Sequence, residues 1–177
     1  MRCHWVTENP VYVDYHDNEW GKPSHDERYL FEMLVLESFQ SGLSWEIILN
    51  KREGFREAFD NFDVKKVAKY DINKIKELVS DHRIVRSRKK IEAAINNANK
   101  FLEIEKYFGS FDKFIWSFTE GESIKGDGNT ISNDLSDEVS NNLKLWGMKF
   151  VGSTVCYSYL QAIGIINDHE VECEMHA

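Results

Sequence analysis

Two cysteines and two histidines lie at opposite ends of the 177-residue chain, Cys3 and His16 near its start and His169 and Cys173 near its end. Two thiolates and two imidazoles form a tetrahedral zinc set. His169 and Cys173 are four apart, which on a helix would put them on one face. Cys3 and His16 do not follow the short spacing of zinc fingers, and His4 and His176 are rival imidazoles. If the set closes, it clamps the N-terminal arm to the C-terminal segment. A structural zinc contributes on the order of 10 kcal/mol or more in small peptides, enough to hold two otherwise loose ends. The alternative is three buried or idle thiols and scattered histidines.

A second concentration of chemistry surrounds one carboxylate. Tyr12, Tyr15, Trp20 and Trp45 lie near Glu37 and Gln40 in the sequence. Aromatic faces stack flat rings, and a carboxylate accepts hydrogen bonds from an amine or a protonated ring nitrogen. Glu37 follows Leu34-Val35-Leu36, so the pattern buries it, and a buried carboxylate needs a partner. A cationic ligand is one solution. An arginine is the other, and then the aromatics are simply core.

A third element runs from Leu143 to Gly164 as helix, glycine turn and helix. Phe150 and Val151 are expected to pack between the helices, and Ser153 to cap the second one. Free N–H groups at that helix start bind anions such as phosphate, Lys149 adds a positive charge, and Gly152 permits close backbone approach. This is how a hairpin grips a nucleic-acid backbone without reading sequence. An ordinary αα-hairpin carries the same pattern.

These groups must be positioned by helices. Ser24-His25-Asp26-Glu27 reads as a capping box before a helix carrying Leu30, Phe31, Leu34 and Val35. Gly42 breaks the pattern and Ser44 caps the next helix. Asp63 and Asp71 cap two short ones. A long helix follows Ser87, with Ile91, Ala94, Ile95, Ala98, Phe101 and Leu102 on its apolar face. Phe111 to Phe118 is a short aromatic helix, 119 to 134 is a polar loop expected to be mobile, and Ser136 starts a helix that Gly147 ends. Almost nothing alternates as a strand does. The expected class is all-α, one domain over residues 1–177.

The bulk numbers fit a folded domain and exclude several classes. The chain is 42% apolar and 13% aromatic, with 22 basic against 30 acidic residues and a net charge of −8. Such a balance argues against coating nucleic acid by bulk electrostatics, so any grip on it must be local. No apolar run reaches membrane-spanning length. Three cysteines do not make a disulfide framework, and the expected setting is the reducing cytoplasm.

Several stretches together resemble the 3-methyladenine DNA glycosylase I family. They are Cys3-x-Trp5, Pro10-Val11-Tyr12, the run from Tyr15 to Gly21, the run from Leu36 to Trp45, Lys149-Phe150-Val151-Gly152, Cys156-Tyr157-Ser158 and Asn167-Asp168-His169. They span nearly the whole chain. The resemblance implies a helix-hairpin-helix DNA glycosylase fold and a structural zinc on Cys3, His16, His169 and Cys173. It further implies that Glu37 contacts the excised base, that Tyr12, Tyr15 and Trp45 shape and stack the pocket, and that the loop at Gly42 and Leu43 enters the gap left by a flipped nucleotide. The implied substrate is double-stranded alkylated DNA and the implied product is free 3-methyladenine, made by a monomer. Lyase-type relatives carry a lysine near the start of the hairpin's second helix. Here that region reads Ser153-Thr154-Val155, so a monofunctional hydrolase is expected. Asp168 is given no catalytic role. Two rival readings are a zinc-clamped DNA-binding module and a zinc hydrolase, the latter needing an open coordination position.

Overall fold

The structure is a computed structural model and describes residues 1–176. Among these residues helices dominate, and none is long and apolar enough to cross a membrane. The chain opens with α1 (Pro10–Asn18), whose proline stands in the first turn and whose N-cap is Asn9. Proline suits that position because its missing N–H is one the helix would leave unpaired anyway.

Helix α2 (Glu27–Gln40) is the axis of the domain. Every residue from Leu30 to Phe39 is buried. A helix apolar around its whole circumference belongs inside, not on a surface. Its N-cap is Asp26, which accepts from the Tyr29 amide, and not Ser24 as the capping-box reading expects. Glu27 is released from that box and receives the Phe111 and Asp112 amides at 3.2 and 2.7 Å. It therefore caps a helix far away in sequence.

After α2 come α3 (Trp45–Asn50, capped by Ser44), which packs on it, α4 (Arg52–Ala58), α5 (Val64–Val67, capped by Asp63), α6 (Ile72–Val79, capped by Asp71) and α7 (Arg88–Phe108, capped by Ser87), which packs on α2 and carries α5 and α6. These four caps stand where the sequence places them. Next come α8 (Phe111–Ser117), α9 (Asp134–Leu145) and α10 (Ser153–Ala162), and α10 packs on both α9 and α2.

Two starts differ from expectation. Helix α9 begins at Asn133, and Ser136 is the N3 member of a reciprocal capping box with it. Helix α10 begins after Gly152, so Ser153 lies inside the first turn and bonds Ser136 Oγ at 2.8 Å. Gly147 and Gly164 end their helices in the left-handed region, as expected, with φ of 96° and 78°. In the turn between α9 and α10, Val151 is buried but Phe150 is not packed between the helices. It is 37% exposed at φ 57°, and Met148 fills the interior instead.

The 119–134 segment, expected as a mobile loop, is anchored. Its Ile124–Lys125 (β1) pairs in parallel with Ile166–Asn167 (β2), Ile124 against Ile166. Ser123 Oγ donates to Gly164 O at 2.7 Å.

One ionic knot fastens the core. The Glu32 carboxylate on α2 has no exposure and accepts from Arg52, Arg56 and Arg28. Arg52 reaches on to Glu19, just past α1, at 2.9 Å. Burial alone would raise the Glu32 carboxyl; Arg56 and Arg52 outweigh it and hold it below its ordinary value. Arg52→Met removes the most buried of the three partners and leaves Arg56 and Arg28, so it is expected to lower the unfolding free energy by about 1–3 kcal/mol in urea titrations. A loss under 1 kcal/mol would mean the knot is not as dry as it looks.

Candidate functional site

A cavity of about 300 Å³ opens between α1, α2, α3 and α10. All four pocket residues expected from the sequence line it: Tyr12 and Tyr15 from α1, Glu37 from α2 and Trp45 from the first turn of α3. Trp5, Trp20 and Gln40 join them. Tyr15 and Trp45 stand 5.5 Å apart, tilted by 55°, and Trp5 touches both Tyr12 and Trp20.

Glu37 is the decisive group. It is 4% exposed, and no hydrogen bond or ion pair among the described residues reaches its carboxylate. The buried carboxylate that pairs with arginine is Glu32, not Glu37. Burial alone pushes the Glu37 carboxyl up to about 8. Two further groups at the cavity are buried and unpartnered, Tyr15 Oη and Trp45 Nε1. Buried polar atoms in native folds almost always have partners. Three such groups around one cavity, two of them donors and one carboxyl, fit a polar flat-ringed ligand that enters from outside.

The remaining wall comes from Thr154, Tyr157, Ser158 and Gln161 of α10, from Asp168, and from Gly128 to Ile131. Sequence reasoning does not find Thr154, Gln161 or the loop. Spacings of four and three residues link Thr154, Ser158 and Gln161 on one face of α10, which was the available signal. The loop has no signal, because its place depends on the β1–β2 pairing.

Behind the cavity lie the metal-type residues. Ligand atoms of Cys3, His16 and Cys173 all fall within 4.8 Å of one another, and all three side chains are buried. His169 is outside that trio but beside it, its ring 4.8 Å from His16 and edge-on. His169 and Cys173 share no helix face, since the chain after β2 runs in turns. Gly21, at φ 72°, makes room for His169, because a Cβ there would come within 2.9 Å of the ring. The rival histidines are occupied: His4 pairs with Glu170 on the surface, and His176 donates to His169 O at 2.7 Å.

The donors fit a metal. His16 Nδ1 donates to Asp17 and His169 Nδ1 donates to Asn167 Oδ1, each at 2.8 Å, which leaves both Nε2 lone pairs facing inward. His169 Nε2 is buried without a partner. Backbone N–H groups of Glu170 and Met175 donate to the Cys3 and Cys173 sulfurs at 3.4 Å. Burial, with His16 adjacent, lowers the His169 imidazole to about 4, so it stays neutral. Trp5 and Trp20 separate this cluster from the cavity, Trp20 lying 4.6 Å from the His169 ring and Trp5 5.2 Å from that of His16.

The residues expected at a nucleic-acid contact lie on the surface. Lys149 is exposed, and its backbone is pinned by two hydrogen bonds from and to Asn97, at 2.8 and 2.9 Å. Gly152 precedes α10 with no side-chain cap. Its φ is −62° and nothing lies within 4 Å of a would-be Cβ, so the fold itself does not require glycine there. Gly42 turns at φ 81° in open space, with Leu43 half-buried beside it.

Compared with known proteins, residues 5–177 match the family model described as methyladenine glycosylase. The chain belongs to the methyladenine glycosylase family. It is 45% identical over 177 residues to DNA-3-methyladenine glycosylase 1 of Escherichia coli (strain K12), covering 97% of this chain and 95% of that one. A crystal structure of 3-methyladenine DNA glycosylase I superposes with a TM-score of 0.96 at 42% identity over all of both chains. The Staphylococcus aureus structure, described as the basis of 3-methyladenine recognition, gives a TM-score of 0.95 at 38% identity over 99% and 96% of the two chains.

The Glu37 environment has a thermodynamic signature. A carboxyl raised from 4.5 to about 8 keeps its proton in the folded state over a range where the unfolded chain has released it. Folded protein then binds more protons, so stability falls as pH rises through that window. Glu37→Gln removes this slope. The variant is expected to match wild type near pH 4.5 and to exceed it by roughly 3–5 kcal/mol at pH 8. Urea titrations across that range measure it, and equal stability at pH 8 would show a solvated carboxyl.

Proposed function

We propose that the protein is a DNA base-excision glycosylase that hydrolyses the N-glycosidic bond of 3-methyladenine in double-stranded alkylated DNA. The observation that carries this reading is the unpartnered Glu37 carboxyl buried in an aromatic-walled cavity. Methylation at N3 gives the adenine a positive charge while it is joined to the sugar. A neutral adenine and the cation differ by one methyl and one charge. A methyl alone gives about 1–3 kcal/mol of discrimination in an apolar pocket. A counter-charge in a desolvated site adds more, because it is poorly screened. Glu37 is neutral when the cavity is empty near pH 7. The entering cation favours its ionised form, so proton and base compete for one carboxylate. Stacking on Trp45 or Tyr15 favours the same cation.

The chemistry needs little acid catalysis, since the departing base leaves neutral. The enzyme must extrude the nucleotide, hold the altered base and admit water to the sugar. A carboxylate near the reacting centre also favours an oxocarbenium-like transition state. No lysine stands in the first turn of α10, which supports a monofunctional hydrolase without Schiff-base chemistry.

DNA contact is read at the α9–α10 hairpin of a helix-hairpin-helix domain spanning 1–177, through Lys149, the uncapped N–H groups after Gly152, and Ser153. A glycine that the fold does not require is what close approach of a phosphate would call for. Gly42 and Leu43 are read as the turn that fills the gap left by the flipped nucleotide. The protein is read as a cytoplasmic monomer.

Cys3, His16, His169 and Cys173 are read as the ligands of one structural Zn²⁺. When bound, the ion cross-links the two ends of the chain and, with four protein ligands, keeps no position for substrate. That argues against the zinc-hydrolase reading.

Two measurements test the proposal. Incubation with methylated duplex DNA is expected to release free 3-methyladenine, and Glu37→Gln to weaken free-base binding about 10- to 100-fold with DNA affinity nearly intact. Equal excision by both proteins at limiting enzyme would return Glu37 to the core. Metal analysis is expected to find one zinc per chain, and Cys173→Ser to lower both its occupancy and the melting temperature by several degrees. Wild-type protein that takes up no added zinc, with a melting temperature that Cys173→Ser leaves unchanged, would remove the clamp.

A further inference from the structure

Asp168 is a buried carboxylate with no place in the mechanism above. It is 3% exposed and borders the cavity. Its Oδ1 accepts from the Gly128 amide at 2.6 Å. Its Oδ2 accepts from Tyr157 Oη at 3.0 Å and from Gln161 Nε2 at 2.7 Å. Two of these donors belong to α10 and one to the loop after β1, so the carboxylate bolts the loop onto the helix.

The loop is shaped to meet it. A Cβ on Gly126 would come within 2.0 Å of Asp168 Oδ1, so only glycine fits against the carboxylate. Gly128 turns at φ 74° to aim its N–H. Asp127 then accepts from the Asn129 and Thr130 amides and from Thr130 Oγ1, at 2.7 to 2.9 Å. Asp127 thus holds the outer end of the loop, which forms cavity wall, while Asp168 holds its inner end.

From this geometry we infer that Asp168 is a positioning residue. Its carboxylate fixes the Gly126–Ile131 loop as a preformed wall of the base pocket and takes no part in bond cleavage. The inference rests on the proposed reading of that cavity. A carboxylate has about four lone-pair directions, and the protein itself takes three of them. Little acceptor capacity is left for water or sugar. Charge-assisted hydrogen bonds to a backbone amide and two side chains are the strong kind, suited to holding a loop that has only two residues of strand pairing at its root.

The experiment compares wild type, Asp168→Asn and Gly126→Ala. The asparagine sets an amide against one of the donors. The alanine pushes the loop away while the carboxylate stays in place. Three quantities are measured: amide hydrogen exchange at 128–131, affinity for free 3-methyladenine, and single-turnover excision from methylated duplex DNA. Both variants are expected to exchange the loop amides at least about tenfold faster and to bind free base about tenfold more weakly. Excision at saturating enzyme is expected to stay within about threefold of wild type, because a displaced wall affects occupancy more than bond cleavage. A loss of saturating excision beyond about hundredfold in Asp168→Asn, with loop exchange and base affinity unchanged, overturns the inference in favour of a chemical role. So does a Gly126→Ala protein with normal exchange and affinity. If Asp168→Asn does not fold, Gly126→Ala carries the test alone. If wild type fails to bind 3-methyladenine, the reading of the cavity falls, and the exchange data still decide the strut.

Discussion

Helix α2 is buried on every side from Leu30 to Phe39, yet it carries two carboxylates within that stretch, Glu32 and Glu37. Glu32 is out of reach of water and Glu37 meets it only through the cavity, so a charge on either is costly unless it is compensated. Glu32 is neutralised permanently, by arginines from α4 and from its own first turn. Glu37 has no such partner, and its burial favours the protonated form. Five residues of one helix separate a structural solution from a functional one. The rest of the domain can be read as what is needed to keep these two apart: the arginine knot on one side, the aromatic cavity on the other.

The N-terminal helix ties the cavity to the metal-type cluster. Tyr12 and Tyr15 face the cavity, while His16, next in sequence, faces Cys3 and Cys173. A nine-residue helix could not hold that orientation alone. The pairing of chain ends around it, through the Glu174 amide on Met1 O and the approach of His16 to Cys3 and Cys173, fixes its rotation. Stability at the chain ends and shape in the pocket are therefore coupled through one short helix.

Much of this was legible. The caps at Ser44, Asp63, Asp71 and Ser87 lie where a short polar side chain precedes an apolar period, a purely local signal. Glu37 was legible because a carboxylate within an apolar run has to be buried. The failures share a cause. Ser24, Ser136 and Ser153 each stand within three residues of the true cap, and local sequence cannot rank neighbouring cap candidates (Asp26, Asn133 and Gly152 against the serines) when tertiary contacts choose. Glu27 satisfies a distant helix, Ser136 serves as the third residue of its box, and Ser153 faces Ser136. The spacing of His169 and Cys173 read as helical because turns can also bring residues four apart together. The two-residue strands and the loop they anchor were invisible, since a pair of residues shows no period.

The cavity is walled differently on its two sides, and this bears on how such a protein can change. Toward the metal-type cluster the wall is one ring thick: Trp5 and Trp20 border the cavity on one face and touch the imidazoles on the other. Any substitution there that enlarged the pocket would disturb the residues joining the chain ends. Toward Asn129 and Thr130 the wall is a loop pinned at Gly126 and Gly128 by Asp168, and only its outer residues, held by Asp127, stand clear of that anchor. The cavity is therefore most easily reshaped at 129–131, where a loop tolerates altered composition. Relatives of this fold with a differently shaped cavity should differ there, and keep the two tryptophans and the two anchored glycines.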